Sequence, residues 1–321
     1  MSLKYKAIPR ITVPSVKPHE KAINNKHEYD QDFWELDYAM TGYLSGVLDD
    51  ELFSRHLAII KNMQSLTSPD RHTIPISCFL SSWYWFRKEH QTRYEMAKRD
   101  LPLPAETKDL PLLEPTNQRT HIRPIRPNAG NILYRYTEPK FAEAFLKKGS
   151  VYLSCATKMS SHKGDKARFD IETSKSRFSS KDNIKFTTMG GKNIPIISDL
   201  KRTSSSPDYY LFCVSTDYDP ILLNELGGAC VAIKDPEKFS LKLQQWGEVN
   251  MPDWFFGEFP IEYYDPYEHI KNHVTAASMT KGFEFAYQRE FRFAFGSTAG
   301  LNAVPIPPIE LGNLEDIAEI I

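Results

Sequence analysis

Gln288 and Glu290, two residues apart, are the side chains whose types and spacing best suit chemistry in this sequence. If a strand runs through both, they share a face. A carboxylate so placed can accept from a ribose hydroxyl and stabilise positive charge developing at an anomeric carbon, as glycosyl-cleaving enzymes use their acids. The same spacing also suits an ordinary polar strand face, with Glu290 paired to Arg292 or to a neighbouring strand. Arg135 lies between Tyr134 and Tyr136, so a strand turns it away from both rings and lets it grip a phosphate bidentately. Ser154 ends the next apolar run, where a hydroxyl can donate to a ligand or cap the following turn. His269 and His273 are spaced to share a helix face, but no third ligand accompanies them at motif spacing, so no metal site is expected. Gly190-Gly191-Lys192 lacks the first glycine of a phosphate loop, and Gly227-Gly228 reads as a turn.

These residues need an element frame, and the bulk composition allows one. The chain has 321 residues, 41% hydrophobic and 25% charged, which is ordinary for a folded protein. A net charge of -1 excludes a whole-molecule field that draws it to nucleic acid or anionic membrane, so any such attraction must be local. The cysteines Cys78, Cys155, Cys213 and Cys230 form no Cys-x-x-Cys pair and read as small buried residues in a reducing compartment. With no signal-like amino terminus and no apolar run long enough to span a bilayer, a cytoplasmic protein without a membrane partner is expected.

Hydrophobic periodicity divides the chain further. Residues 1–30 are polar, basic and interrupted by prolines, as in an extended arm. From 31 to 100 three amphipathic helices are expected, carried by Phe33 to Val47, Leu52 to Met63, and a third from about Ser77 to Arg99. This makes a small helical domain. The prolines of 101–130 then read as a linker. Residues 131–300 carry mixed signals, with strands at Ile132–Tyr136, Val151–Ser154, Tyr209–Val214, Ala229–Ile233, Phe259–Tyr263 and Glu290–Phe295. Helices are expected over Pro139–Lys148, from Pro236 to Gln245, and from Pro266 to Met279. The fold class is therefore α+β, a mixed or antiparallel sheet domain behind a helical one, closed by a tail over 301–321. Within it, 157–209 holds eleven Lys or Arg against six Asp or Glu and reads as a long basic insertion. Only Ile184–Thr187 and Ile194–Ile197 look core-forming there. Lys163, Lys166, Arg168, Lys175, Arg177 and Lys181 are its candidates for nucleic-acid phosphate contact. The aromatic run Trp83–Phe86 suits either base stacking or a helix core.

The ordered set of an arginine strand, a serine strand and a closing Gln-x-Glu strand resembles the Arg…Ser…Glu signature of ADP-ribosyltransferases. That resemblance implies a split-sheet fold with NAD as substrate, held by Arg135, Tyr136 and Ser154. It also implies Glu290 as the catalytic glutamate and Gln288 as the residue bearing on the acceptor. A second likeness spans about residues 131 to 297. Tyr134-Arg135-Tyr136, Cys213-Val214-Ser215, Gly227-Gly228-Ala229-Cys230-Val231 and Glu290-Phe291-Arg292 resemble a widespread family of uncharacterised bacterial and phage domains. That family carries Asn-Asp-Pro-Phe-Glu or a related acidic motif after its second strand, where this chain has Gly164-Asp165 and Asp170-Ile171-Glu172. Together the two resemblances imply a transferase acting on a protein or nucleic acid, as an effector or toxin in phage defence. Two other readings stay open: a non-catalytic binding module on the same fold, and an enzyme acting on nucleic-acid phosphates.

Overall fold

A computed structural model describes residues 31–66, 84–103, 132–161, 170–181, 184–268 and 276–321. The helices are α1 (Gln31–Thr41), α2 (Asp49–Leu66), α3 (Tyr84–Lys98), α4 (Pro139–Lys148), α5 (Ala156–Met159), α6 (Pro220–Leu226) and α7 (Pro236–Asn250). The first strands are β1 (Leu133–Thr137), β2 (Ser150–Val151), β3 (Ser154–Cys155), β4 (Ser174–Ser179), β5 (Phe186–Thr187), β6 (Asn193–Ile194) and β7 (Leu200–Ser205). Then come β8 (Tyr210–Ser215), β9 (Ala229–Ile233), β10 (Trp254–Pro260), β11 (Glu262–Tyr264), β12 (Thr280–Gly282), β13 (Glu290–Ser297), β14 (Ile309–Glu310) and β15 (Ala318–Ile320). The protein is α+β, as the mixed periodicities indicate.

Its centre is a seven-stranded sheet in the order β10-β13-β8-β1-β9-β15, with β3 also paired to β8. Every pairing in it is antiparallel. Alternation decides which face is core. Phe293 and Phe295 of β13, Phe212 and Val214 of β8, and Val231 and Ile233 of β9 pack with Phe145 of α4 and Phe239 and Leu243 of α7. Local chemistry fixes these helices. Pro139 starts α4 with a preset φ, and Gly149 ends it at φ 62, donating its N–H to the Ala144 and Phe145 carbonyls. An added Cβ at Gly149 would lie 2.4 Å from the Gly312 carbonyl oxygen, so the chain reversal into β2 needs glycine twice over. Asp219 and Asp235 cap α6 and α7 through the N–H groups of Ile221 and Lys238.

The amino-terminal helical segment buries one cluster of its own, Tyr38, Leu44, Val47, Leu52, Tyr94 and Met96, and shares a second with the rest of the chain. Trp34, Ile59, Ile60, Met63, Tyr84, Trp85 and Phe86 share one cluster with Ile261, Tyr263, Phe283, Phe285 and Ala286. The aromatic run of α3 is thus core, and Trp83 lies outside the described residues. Charge reinforces the junction. Arg55 donates two hydrogen bonds to Asp265 at 2.9 and 2.6 Å, and the buried Lys88 ammonium sits between Asp265 and Glu268. The extended arm and most of the proline-rich stretch lie outside the described residues.

Three expectations are corrected. Residues 266 to 279 are not one helix where described: a bend follows Asp265 and a single 3-10 turn covers Ala277–Met279, with His269 and His273 outside the described residues. In the insertion, Phe186, Ile194 and Ile197 are exposed rather than core-forming, Ile197 by 91%. They belong to or flank the small β5–β6 hairpin, whose own residues are all exposed. Lys175, expected to meet phosphate, is buried and paired to Asp170 at 2.7 Å. The insertion therefore sends polar residues inward and apolar ones outward, the reverse of the periodicity reading.

Candidate functional site

The sheet forks where the site forms. β1 meets β8 at Tyr134 and Ser215, while farther along β8 Leu211 and Tyr210 pair instead with Ser154 and Cys155 of β3. Arg135 stands in the fork. Its guanidinium donates to the Cys213 carbonyl at 2.7 Å, a group that β1 would satisfy in a continuous sheet, and stacks over Phe212 at 4.7 Å. A pocket of about 500 Å³ opens there, lined by residues that include Arg135, Tyr136, Ser154, Gln288 and Glu290. All five residues singled out in the sequence therefore reach one concavity. Its size suits a small organic ligand.

Gln288 arrives by a route the strand pattern did not foresee. It ends a 3-10 helix, Phe283–Gln288, and β13 begins only at Glu290. Between them Arg289 adopts the left-handed conformation at φ 47. Gln288 and Glu290 still converge, because both hold the Lys281 ammonium, at 2.9 and 2.8 Å. Tyr136 departs differently. Its ring lies with Leu222, Cys230 and Tyr287, and its hydroxyl donates to the Asp217 carbonyl at 3.1 Å while accepting from the Asp219 N–H. It braces the turn into α6 at the pocket wall.

The floor is a buried ion network. Arg292 donates from Nε to Glu290 and from its two terminal nitrogens to Glu172, at 2.8 and 2.7 Å. Glu172 in turn faces Lys175 at 3.8 Å. Tyr263 accepts from the Glu290 N–H at 2.8 Å, fixing the start of β13. Burial pushes the Glu290 carboxyl up, but Arg292 and Lys281 outweigh it and hold the group well below the usual carboxylate range. For Glu172 burial wins over Arg292, so its pKa is raised. Burial, with Glu290 beside it, also pushes the Cys213 thiol far up, so this pocket cysteine stays protonated and is a poor nucleophile.

Sequence reasoning missed Lys281 as a site residue and left Glu172 as an acidic residue without a role. The signal for Glu172 was its place after the second strand, where the resembled bacterial and phage family carries its acidic motif. Lys281 gave none beyond lying upstream of Gln288 and Glu290. Of the proposed phosphate-binding cations, Lys163, Lys166 and Arg168 lie outside the described residues, and Arg177 stacks over Tyr264 at 4.7 Å. Lys181 is exposed.

Chemically, this pocket can bind a polar ligand with both hydroxyls and anionic groups. Two of the three Lys281 hydrogens go to Gln288 and Glu290, which leaves one for a ligand acceptor. Glu290 accepts from Lys281 on one oxygen and from Arg292 on the other, and the Cys213 thiol hydrogen-bonds to the same carboxylate, which leaves about one lone pair for a ligand hydroxyl. Among the described residues no group of three His, Cys, Asp or Glu is arranged to hold a metal ion, and no helix is long and apolar enough to cross a membrane. No protein family, curated protein or solved structure matches this chain, so its functional reading rests on the geometry of the fork pocket.

Proposed function

We propose that the chain is an ADP-ribosyltransferase-like protein that holds NAD in the fork pocket and transfers ADP-ribose to a macromolecular acceptor. One observation carries the reading: Arg135, Ser154 and the Gln288–Glu290 pair, from three separate stretches of sequence, line a single pocket of about 500 Å³. In this reading Arg135 binds a phosphate, Ser154 supports it, Glu290 accepts from a ribose hydroxyl, and Gln288 lies beside the incoming acceptor. The forked sheet takes the part of the split sheet expected for such a fold. A carboxylate held ionised is suited to a developing oxocarbenium charge.

A second reading is favoured by the same ion network. Lys281 and Arg292 neutralise Glu290 from both sides. A carboxylate so compensated stabilises a nearby cation weakly, which suits a protein that binds a nucleotide without cleaving it. Titration calorimetry with NAD, together with chromatographic detection of released nicotinamide, separates the two. The transferase reading expects binding that Arg135→Ala weakens by roughly tenfold to a hundredfold, the worth of a lost charged hydrogen bond. It also expects nicotinamide release that Glu290→Gln abolishes. Binding without release in the parent establishes the binding module, and no heat with NAD rejects both.

A further inference from the structure

We infer that the lip of the fork pocket is a docking site for single-stranded nucleic acid, which makes a nucleic-acid strand the macromolecular acceptor. The acceptor role rests on the transferase reading; the docking does not. Two aromatic side chains line the pocket yet remain open to solvent, Phe141 at 53% and Tyr152 at 36% exposure. They come from separate elements, the first turn of α4 and the segment between β2 and β3. Each carries a cation. Lys140 stands 4.7 Å from the Phe141 ring centre, and Lys158 stands 4.8 Å from that of Tyr152 while donating to its hydroxyl at 2.7 Å.

A ring that a pocket-sized ligand covered would be recessed, whereas these face outward and suit a chain continuing beyond the pocket. Exposed aromatic faces bracketed by lysines are the chemistry that stacks unpaired bases and neutralises the phosphates between them. Lys140 also pairs with Glu138 at 2.9 Å, so Lys158, which lines the pocket itself, is the cation the lip offers a phosphate most directly. An acidic or neutral peptide could use the charge but would leave two stacking faces without a planar partner. Lys175 of the basic insertion is buried and paired, and the lip supplies cations next to the candidate chemistry.

The test is fluorescence anisotropy of the full chain with labelled single-stranded DNA and RNA oligonucleotides of about twelve residues, long enough to cover one such site. Binding to a single strand is expected, weakening as salt rises in proportion to the phosphates neutralised. Phe141→Ala and Tyr152→Ala should each weaken it about tenfold, the scale of one lost base stack. Lys158→Ala should flatten the salt dependence. Both rings are exposed, and unchanged thermal melting of the variants shows that folding is intact. Equal affinity of parent and ring variants, or tighter binding to duplex than to single strand, would overturn the docking site, and labelling of protein but not oligonucleotide by radioactive NAD would overturn the acceptor role. Oligonucleotide binding lost in the ring variants, in a protein that gives no heat with NAD, would keep the docking site and remove the transferase reading alone.

Discussion

Replacing Glu172 with alanine should destabilise the protein by about 3–5 kcal/mol, the cost of leaving one partner of a buried ion pair uncompensated. The magnitude follows from what Arg292 loses. Its side chain is fully buried, its Nε goes to Glu290, and one terminal nitrogen keeps a carbonyl, that of Ser278 at 2.9 Å. The other terminal nitrogen has Glu172 as its hydrogen-bond acceptor, at 2.7 Å. Removing that carboxylate strands a desolvated donor and leaves the cluster of Asp170, Glu172, Glu290, Lys175, Lys281 and Arg292 with one excess positive charge. Urea denaturation followed by tryptophan fluorescence should show the midpoint falling by roughly 1 M or more. Glu172→Met combined with Arg292→Met should cost less than the sum of the two single changes, with a coupling of at least about 2 kcal/mol. A loss below about 1 kcal/mol, the range of an exposed pair, or strict additivity in the cycle would refute the claim that Glu172 compensates a buried Arg292.

Burial, helped by Arg93, lowers the pKa of His56 to about 4, so the folded protein keeps this imidazole neutral while the unfolded chain takes up a proton below about 6.5. Its contribution is therefore complete above the unfolded value and is lost as pH falls from there toward 4. His56→Gln should flatten that acid limb by about 3 kcal/mol, measured as unfolding free energy against pH. Glu89 works in the opposite sense: burial raises it to about 7, so its contribution fades as pH rises through that value. An acid limb unchanged in His56→Gln would show that other groups set it. Gly227→Ala should cost about 3 kcal/mol, combining backbone strain with a steric clash. The residue sits at φ 133, and a Cβ there would approach the Thr137 carbonyl carbon at 2.6 Å. A melting temperature equal to the parent's would contradict it.

The strands and helices that carry strong periodicity were legible. The apolar run Ala229–Ile233 and the helix Pro139–Lys148 have the bounds expected, because a fully apolar strand and a Pro-to-Gly bracket are each unambiguous. In β13 the alternation correctly put Phe293 and Phe295 on the core face. It left open whether Glu290 and Arg292 face a cleft or solvent; they are buried beside the pocket, since buried charge compensated by charge looks like a surface in sequence. The insertion misled for the same reason. Lys175 and Glu172 have the composition of a solvated loop, and only their pairing partners, distant in sequence, make burial tolerable. The boundary of the helical segment was obscured because five of the twelve buried residues in one of its clusters, Phe283 and Phe285 among them, lie some two hundred residues later, a separation periodicity cannot report.

That shared core bears on the site through the 3-10 helix Phe283–Gln288. Phe283, Phe285 and Ala286 bury against the amino-terminal helices, and Asn62 of α2 donates to the Phe283 carbonyl at 2.9 Å. Lys61, one residue earlier, stands 3.8 Å over the Tyr287 ring and pairs with Glu225, which also accepts from the Tyr287 hydroxyl. The chain then turns through left-handed Arg289 into Glu290, with the Arg289 carbonyl held by the Thr216 N–H at 2.9 Å. A 3-10 segment this long is intrinsically a poor structure, and a non-glycine residue at positive φ adds strain. Both are sustained by packing from α2 on one side and β8 on the other. The angle at which Gln288 and Glu290 meet Lys281 therefore depends on contacts made by residues near position 60, and the helical segment is part of the site's framework rather than an appendage to it.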